Sequence, residues 1–224
     1  MINDPRHIAF DILRSWQVSG QTLDKSLESY AKPFSSLSKK DKNLCNAIVF
    51  GVLRYRESID WIVQSCSKTP FEKIDTKTLY LLRIALFEII YLDRIPVFAS
   101  INTCVDIAKK VLGKNPSGFI NAVLRNAAKN FSDIPFPDKK TNRSKYISVK
   151  YSLPLWLAKK WLNSYGFKKT CRLCRQINTI PFITLRTNTL KIDRHSLAEK
   201  LSMNAKNLNF TEYAALGINF SNPN

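Results

Sequence analysis

The apolar positions of the first 131 residues recur at helical intervals. Ile8, Ile12, Leu13 and Trp16 share one face of a helix that Asp4 caps, Pro5 opens and Gly20 can end. Leu23, Leu27 and Tyr30 predict a short second helix. Ser38 followed by Asp41 has the form of a capping box with Asp in the Glu role. Beyond it Leu44, Ile48, Val52, Tyr55, Ile59, Ile62 and Cys66 form one stripe, compatible with a single long helix or two in line. Asp75 caps the next helix, which turns Leu79, Leu82, Leu86 and Ile89 inward. The stretch Leu79 to Leu92 is too short to span a bilayer and is interrupted by Arg83 and Glu88, so it reads as a buried core helix. Pro96 opens a fifth helix that stops at Gly113. Asn115 and Pro116 start a sixth, with Phe119, Ile120, Val123 and Ala127 inward. Short connections between amphipathic helices predict a compact bundle.

The texture changes after Phe131. Pro135, Pro137 and a polar basic run from Lys139 to Lys145 read as a linker over 132–150. Two helices follow, one from Pro154 to Tyr165 that Gly166 stops and one through about Gln176. Ile183 to Asn188 alternates as a strand, Asp193 caps a helix to about Leu201, and Leu208 to Tyr213 and Ile218 to Phe220 predict further short strands. The fold class expected is therefore mainly α: a helical bundle over 1–131, the linker, and a small α+β subdomain over 151–224. The apolar complement of that last segment is small for its length, and it reads as incomplete.

Charge sharpens the picture. The 224 residues hold 35 Lys and Arg against 17 Asp and Glu, a net charge of +18. Residues 1–134 contribute +6 and residues 135–224 contribute +12, so the shorter part has the larger excess. Such a field favours a polyanion, nucleic acid or an acidic membrane surface. With no signal peptide at the start and no spanning segment, nucleic acid is preferred, no membrane partner is expected, and the location expected is the cytoplasm. The five cysteines are an odd number, which suits thiols in a reducing compartment. Cys171 and Cys174 have CxxC spacing, but a zinc site needs a second pair or nearby histidines, and His7 and His195 are the only ones. The same spacing places two small apolar residues on one helix face, and that reading is preferred.

Several runs resemble a known family. Asp41 to Arg54 (DKNLCNAIVFGVLR) resembles the third-helix signature of the NusB-like RNA-binding domain. Leu81 to Pro96 (LLRIALFEIIYLDRIP), Ala99 to Asn102 (ASIN) and Gly118 to Arg125 (GFINAVLR) resemble later parts of the same fold. The chain continues with Tyr151 to Trp156 (YSLPLW) and Pro181 to Leu190 (PFITLRTNTL). That order is similar to the bacterial 16S rRNA cytosine-C5 methyltransferases of the RsmB (Sun/Fmu) type. In that family a NusB-like domain precedes a small RNA-binding α+β subdomain and a Rossmann-like S-adenosylmethionine domain.

The resemblance implies an RNA partner, most directly 16S rRNA, and S-adenosylmethionine as the family's cofactor. No catalytic, metal or cofactor-binding residue is expected in this chain. Its six glycines stand apart and no GxG turn occurs. The family's nucleophile is a cysteine thiolate that adds to C6 of cytosine. No cysteine here follows proline, and Cys104 and Cys171, which follow threonine, both precede the Arg186-Thr187-Asn188 motif. The nucleophile is therefore not assigned, and the chain is expected to be the RNA-docking front of such an enzyme, monomeric and inactive alone.

Candidate RNA contacts are Arg6 on the opening helix and Arg54 in the NusB-like signature. Lys159, Lys160, Lys168, Lys169, Arg172 and Arg175 join them from consecutive helices with no Asp or Glu between Lys139 and Gln176. Trp156, Trp161, Tyr165 and Phe167 interleave with these cations, most of them expected in the core. Arg186 and Asn188 share a strand face in the family motif and serve either RNA contact or the fixing of that strand. Arg54 could instead pair with Glu57 or Asp60. Two other readings compete: a free-standing NusB-like RNA-binding or transcription-regulating module, and a protein-interaction bundle whose charge serves solubility.

Overall fold

A computed structural model describes residues 4–179, 181–203 and 205–221. The chain divides into two compact units, residues 1–175 and 176–224.

The first unit is helical. Its bundle comprises α1 (Pro5–Ser19), α2 (Leu23–Ser29), α3 (Ala31–Ser35), α4 (Lys39–Arg54), α5 (Arg56–Cys66), α6 (Thr76–Tyr91), α7 (Val97–Val111) and α8 (Lys114–Asn130). Asp4 accepts from the Arg6 amide at 2.8 Å and Gly20 closes α1 at φ 62°, as the sequence predicts. The long stripe resolves into two helices, because Tyr55 leaves helical geometry at φ −105°, ψ 18°. The capping box at Ser38 is only half formed. Its hydroxyl accepts from the Asp41 amide at 3.2 Å, but the Asp41 carboxylate accepts from the Ser38 hydroxyl at 2.7 Å and not from the Ser38 amide.

The centre of the bundle is α6, packed by α1, α4, α5, α7 and α8. Leu81, Leu82, Ile84, Ala85 and Leu86 are buried, and so are Arg83 and Glu88. A helix apolar on every side belongs inside a core, and its charges need partners there. Arg83 makes two bonds to Asp60 of α5, at 2.7 and 2.8 Å. Glu88 pairs with Arg6 of α1 at 2.8 Å. Gly51 of α4 lets that helix approach α6, since a Cβ there would collide with the Phe87 ring.

The span read as a linker is fastened to this bundle. Ile134 packs on the core, and Trp61 donates from Nε1 to the Pro135 carbonyl at 3.1 Å. Its second half is a helix, α9 (Arg143–Tyr151), capped by Asn142. Helix α10 (Leu155–Ile177) follows, broken at Gly166 (φ 71°, ψ 173°) where the sequence places the stop. Ile147, Leu153, Ala158, Cys171 and Cys174 form a second small core under α9 and α10.

The second unit holds β1 (Ile183–Arg186), α11 (Arg194–Ser202), β2 (Lys206–Phe210) and β3 (Gly217–Ser221), in an antiparallel sheet of order β1-β3-β2. Ile183 faces Phe220 and Arg186 faces Gly217 across the first pair. Its core is small: Ala198 and Ile218 are buried, while all of β1 is exposed. Arg194 compensates with its guanidinium, donating to the carbonyls of Gly217 at 2.7 Å and Thr211 at 3.2 Å and lying over the Phe210 ring.

Candidate nucleic-acid interface

Between Lys139 and Arg175 the chain carries eleven Lys and Arg and no Asp or Glu. None of the ion pairs among the described residues reaches this segment. Three of its cations, Arg143, Lys145 and Lys150, meet aromatic rings instead. The Lys150 ammonium lies 5.2 Å from the Tyr146 centroid, 5.8 Å from Phe136 and 5.9 Å from Tyr151, and donates to the Tyr146 hydroxyl at 2.8 Å. That hydrogen bond raises the Lys150 pKa and holds its charge. Arg143 lies over Phe167 and Lys145 over Trp61, each at 5.9 Å. Each such interaction is worth about 0.5–1 kcal/mol at an exposed site.

Helix α9 and the second half of α10 frame a recess of about 380 Å³. Tyr146, Tyr151 and Phe167 supply aromatic walls, and Lys139, Lys168, Arg172 and Arg175 supply charge. The Gly166 break sets the recess up, because it redirects the chain so that Phe167 packs on the small core while Lys168 and Arg172 stay exposed.

The residues singled out from sequence fall in three places. Lys168, Arg172 and Arg175 meet at the recess. Lys169 is exposed beside Arg172, and Lys159 and Lys160 are exposed on the first half of α10. Of the interleaved aromatics, Trp161 and Phe167 pack on the core as expected, but Trp156 and Tyr165 are 67% and 51% exposed. Arg54 is half-buried at the end of α4. It pairs with neither expected carboxylate: Asp60 is taken by Arg83, and Glu57 lies 3.6 Å from Arg56. Arg6 is turned to the buried Glu88, 2.8 Å away, and is not an open surface arginine. Burial pushes the Glu88 carboxyl above its usual range, and Arg6 pulls it back.

Arg186 ends β1, exposed. Asn188 does not share its strand face, because β1 has ended. The Asn188 side chain accepts from the Leu190 amide at 3.1 Å and its carbonyl from Lys191 and Ile192, which fixes a turn. The sequence reading missed Lys139, Arg143, Lys145 and Lys150, together with Tyr146 and Tyr151. The acid-free stretch that singles out the later cations begins at Lys139 and covers these residues too, but their span reads as a linker.

Among the described residues no group of three or more His, Cys, Asp or Glu could hold a metal ion. The five cysteines are buried. Burial pushes the Cys45 thiol up to about 12 and Cys174 up to about 11, and raises Cys66 and Cys104 as well. Thiols so placed are poor nucleophiles. No described helix is long and apolar enough to cross a membrane.

Comparison with known proteins gives two matches in series. Residues 3–129 match the NusB family and residues 153–224 match the ferredoxin-like domain of the RsmF/B-like methyltransferases. The probable ribosomal RNA small subunit methyltransferase B of Bacillus subtilis is 29% identical over 197 residues, covering 88% of this chain and 43% of that protein. Its Synechocystis counterpart is 29% identical over 219 residues, with coverage of 95% and 46%. This chain thus spans less than half the length of these curated relatives. The transcription antitermination protein NusB of Teredinibacter turnerae is 30% identical over 132 residues, covering 58% of this chain and 89% of that protein. Among solved structures, PH0851 superposes with a TM-score of 0.62 at 16% identity, covering 98% of this chain and 49% of its own. NusB in its complex with NusE and dsRNA gives 0.52 at 21%, covering 58% of this chain and 98% of its own. Both likenesses show the fold.

Proposed function

The chain belongs to the NusB family, and from that premise we propose that it is the RNA-docking region of a ribosomal RNA small subunit methyltransferase of the B type. The order of its segments carries this reading. A NusB-family bundle is followed by a segment matching the RsmF/B ferredoxin-like domain, and relatives of that type align along most of the chain. The acid-free basic surface of α9 and α10 suits the task, since Lys and Arg on phosphates release counterions and supply affinity without reading sequence. The substrate is 16S rRNA, the setting the cytoplasm, and the docking region acts as a monomer.

Methyl transfer by the whole protein draws on S-adenosylmethionine. The residues of this chain do not fit that group. The glycines stand singly along the sequence, the one sheet among the described residues is a small antiparallel one, and the thiols are buried. Its own part is to hold RNA.

A second reading, a NusB-like transcription module, draws on the antitermination relatives, but these leave residues beyond the bundle unmatched. Binding of the chain to 16S rRNA fragments and to unrelated leader RNA, each measured over a salt series, separates the two. The expected outcome is preference for rRNA with affinity falling steeply as salt rises. Preference for leader RNA selects the second reading, and binding absent at moderate salt sinks both.

A further inference from the structure

The recess between α9 and α10 has a composition that phosphate binding alone does not call for. A surface that only tracks a duplex backbone needs cations. Here three half-buried rings, Tyr146, Tyr151 and Phe167, are walls of the same recess as Lys168, Arg172 and Arg175. Tyr146 and Phe167 are neighbours, with centroids 6.1 Å apart and planes tilted by 37°. The cations are also spaced against the helix's own interest. Lys168 and Arg172 are like charges at i, i+4, and Arg172 and Arg175 at i, i+3, arrangements that destabilise an isolated helix. Only Arg175, near the C-terminal end, gains from the helix dipole. An anion brought from outside would relieve the rest.

We propose that this recess binds unpaired RNA, with bases against Tyr146, Tyr151 and Phe167 and the flanking phosphates held by Lys168, Arg172 and Arg175. The proposal rests on the RNA-docking reading above and narrows it to single-stranded nucleotides at one place. Paired bases keep their faces stacked on each other and cannot reach a walled recess, so duplex RNA is met by shape and backbone. Splayed bases can stack on aromatic rings. The site lies outside the residues that match the NusB family, so the bundle is not required to supply it.

The test is fluorescence anisotropy of the full chain with a single strand of about ten nucleotides and a duplex of about 16 base pairs. Tyr146→Leu and Phe167→Leu keep apolar bulk and remove the aromatic face. Each is expected to weaken the single strand about five-fold or more and to leave the duplex unchanged. Lys168→Ala with Arg172→Ala is expected to lower the salt slope on the single strand by about 1.4, near 0.7 for each phosphate no longer neutralised. Leucine variants that bind the single strand as the wild type does overturn the site, and so does a wild-type preference for duplex. If a leucine variant fails to fold by circular dichroism, the exposed Lys168 and Arg172 positions decide it, and an unchanged slope overturns the proposal. No RNA bound in either form overturns the RNA-docking reading itself.

Discussion

Two charged side chains sit inside the most apolar helix, and each is answered from a different neighbour. Arg83 reaches Asp60 on α5 and Glu88 reaches Arg6 on α1. Buried pairs add little net stability, but they penalise any packing of α6 that leaves a charge unpaired. The sequence shows the two charges in the apolar run and so predicts that they matter. It does not show their partners, 23 and 82 residues away along the chain. Local caps are different, since all their atoms lie within three residues. Asp75 accepts from the Lys77 and Thr78 amides at 2.9 and 3.0 Å. Partial burial lifts its carboxyl, but the bonds from Thr78 and Lys77 outweigh that and hold it below the ordinary carboxylate range. A carboxyl lowered on folding contributes stability above its unfolded pKa, and that contribution is lost as pH falls through the folded value. Asp75→Ala is therefore expected to cost about 1 kcal/mol at neutral pH. Its deficit against wild type in urea unfolding should shrink below pH ~4. A deficit constant down to pH ~2 would assign the loss to packing instead of the charged cap.

Elements with a strong apolar period were legible, with a capping side chain at α1, α4, α6 and α11 and without one at α5, α7 and α8; these and the Gly166 break all follow from spacing. Helix α9 was not. Pro135 and Pro137 and the run from Lys139 to Lys145 read as a solvated tether, yet the helix begins within that run and packs on α5, while Ile147 joins the small core with residues of α10, partners that the local pattern does not reveal. The strand read as Ile183 to Asn188 ends early for a local reason, because the Asn188 side chain turns the chain. Much of the candidate site was hidden for the same cause as α9, since Tyr146 and Tyr151 lie on it. Gly166 is the hinge on which the recess depends. Its φ of 71° with ψ of 173° is a combination open essentially to glycine. Gly166→Ala should cost about 1–3 kcal/mol and loosen the second half of α10 first. Hydrogen exchange should show faster amides from Phe167 to Cys174 with α6 unaffected; uniform protection would mean that the break tolerates a side chain.

At the scale of the whole first unit, the charge-rich helices are bound to the bundle by a cap that crosses the chain. Tyr55 precedes α5 without a capping side chain. The orphan amides of Glu57 and Ser58 are met by the Ser152 hydroxyl at 3.0 and 3.4 Å, and the Ser58 hydroxyl donates to the Val149 carbonyl. Ser152 holds a left-handed conformation, φ 51°, to make this reach. Helix starts need their first amides satisfied, so α5 depends on residues beyond the bundle. The compact unit runs to Arg175, close to the end of α10, although the two family segments meet between residues 129 and 153. Ser152→Ala should therefore destabilise the unit by about 1 kcal/mol, a loss read in the bundle as well as in α9. A fragment ending at residue 131 should carry the same defect together with an uncovered Trp61. It is expected to melt below a fragment ending at 177, with Trp61 fluorescence shifted toward the solvent-exposed range. Equal melting temperatures for the two fragments would mean that α9 and α10 rest on the bundle without supporting it, and Ser152→Ala would then be silent in α5. The predicted coupling bears on function too, because RNA drawn to the α9–α10 surface would press on a support that is part of the bundle's own fold.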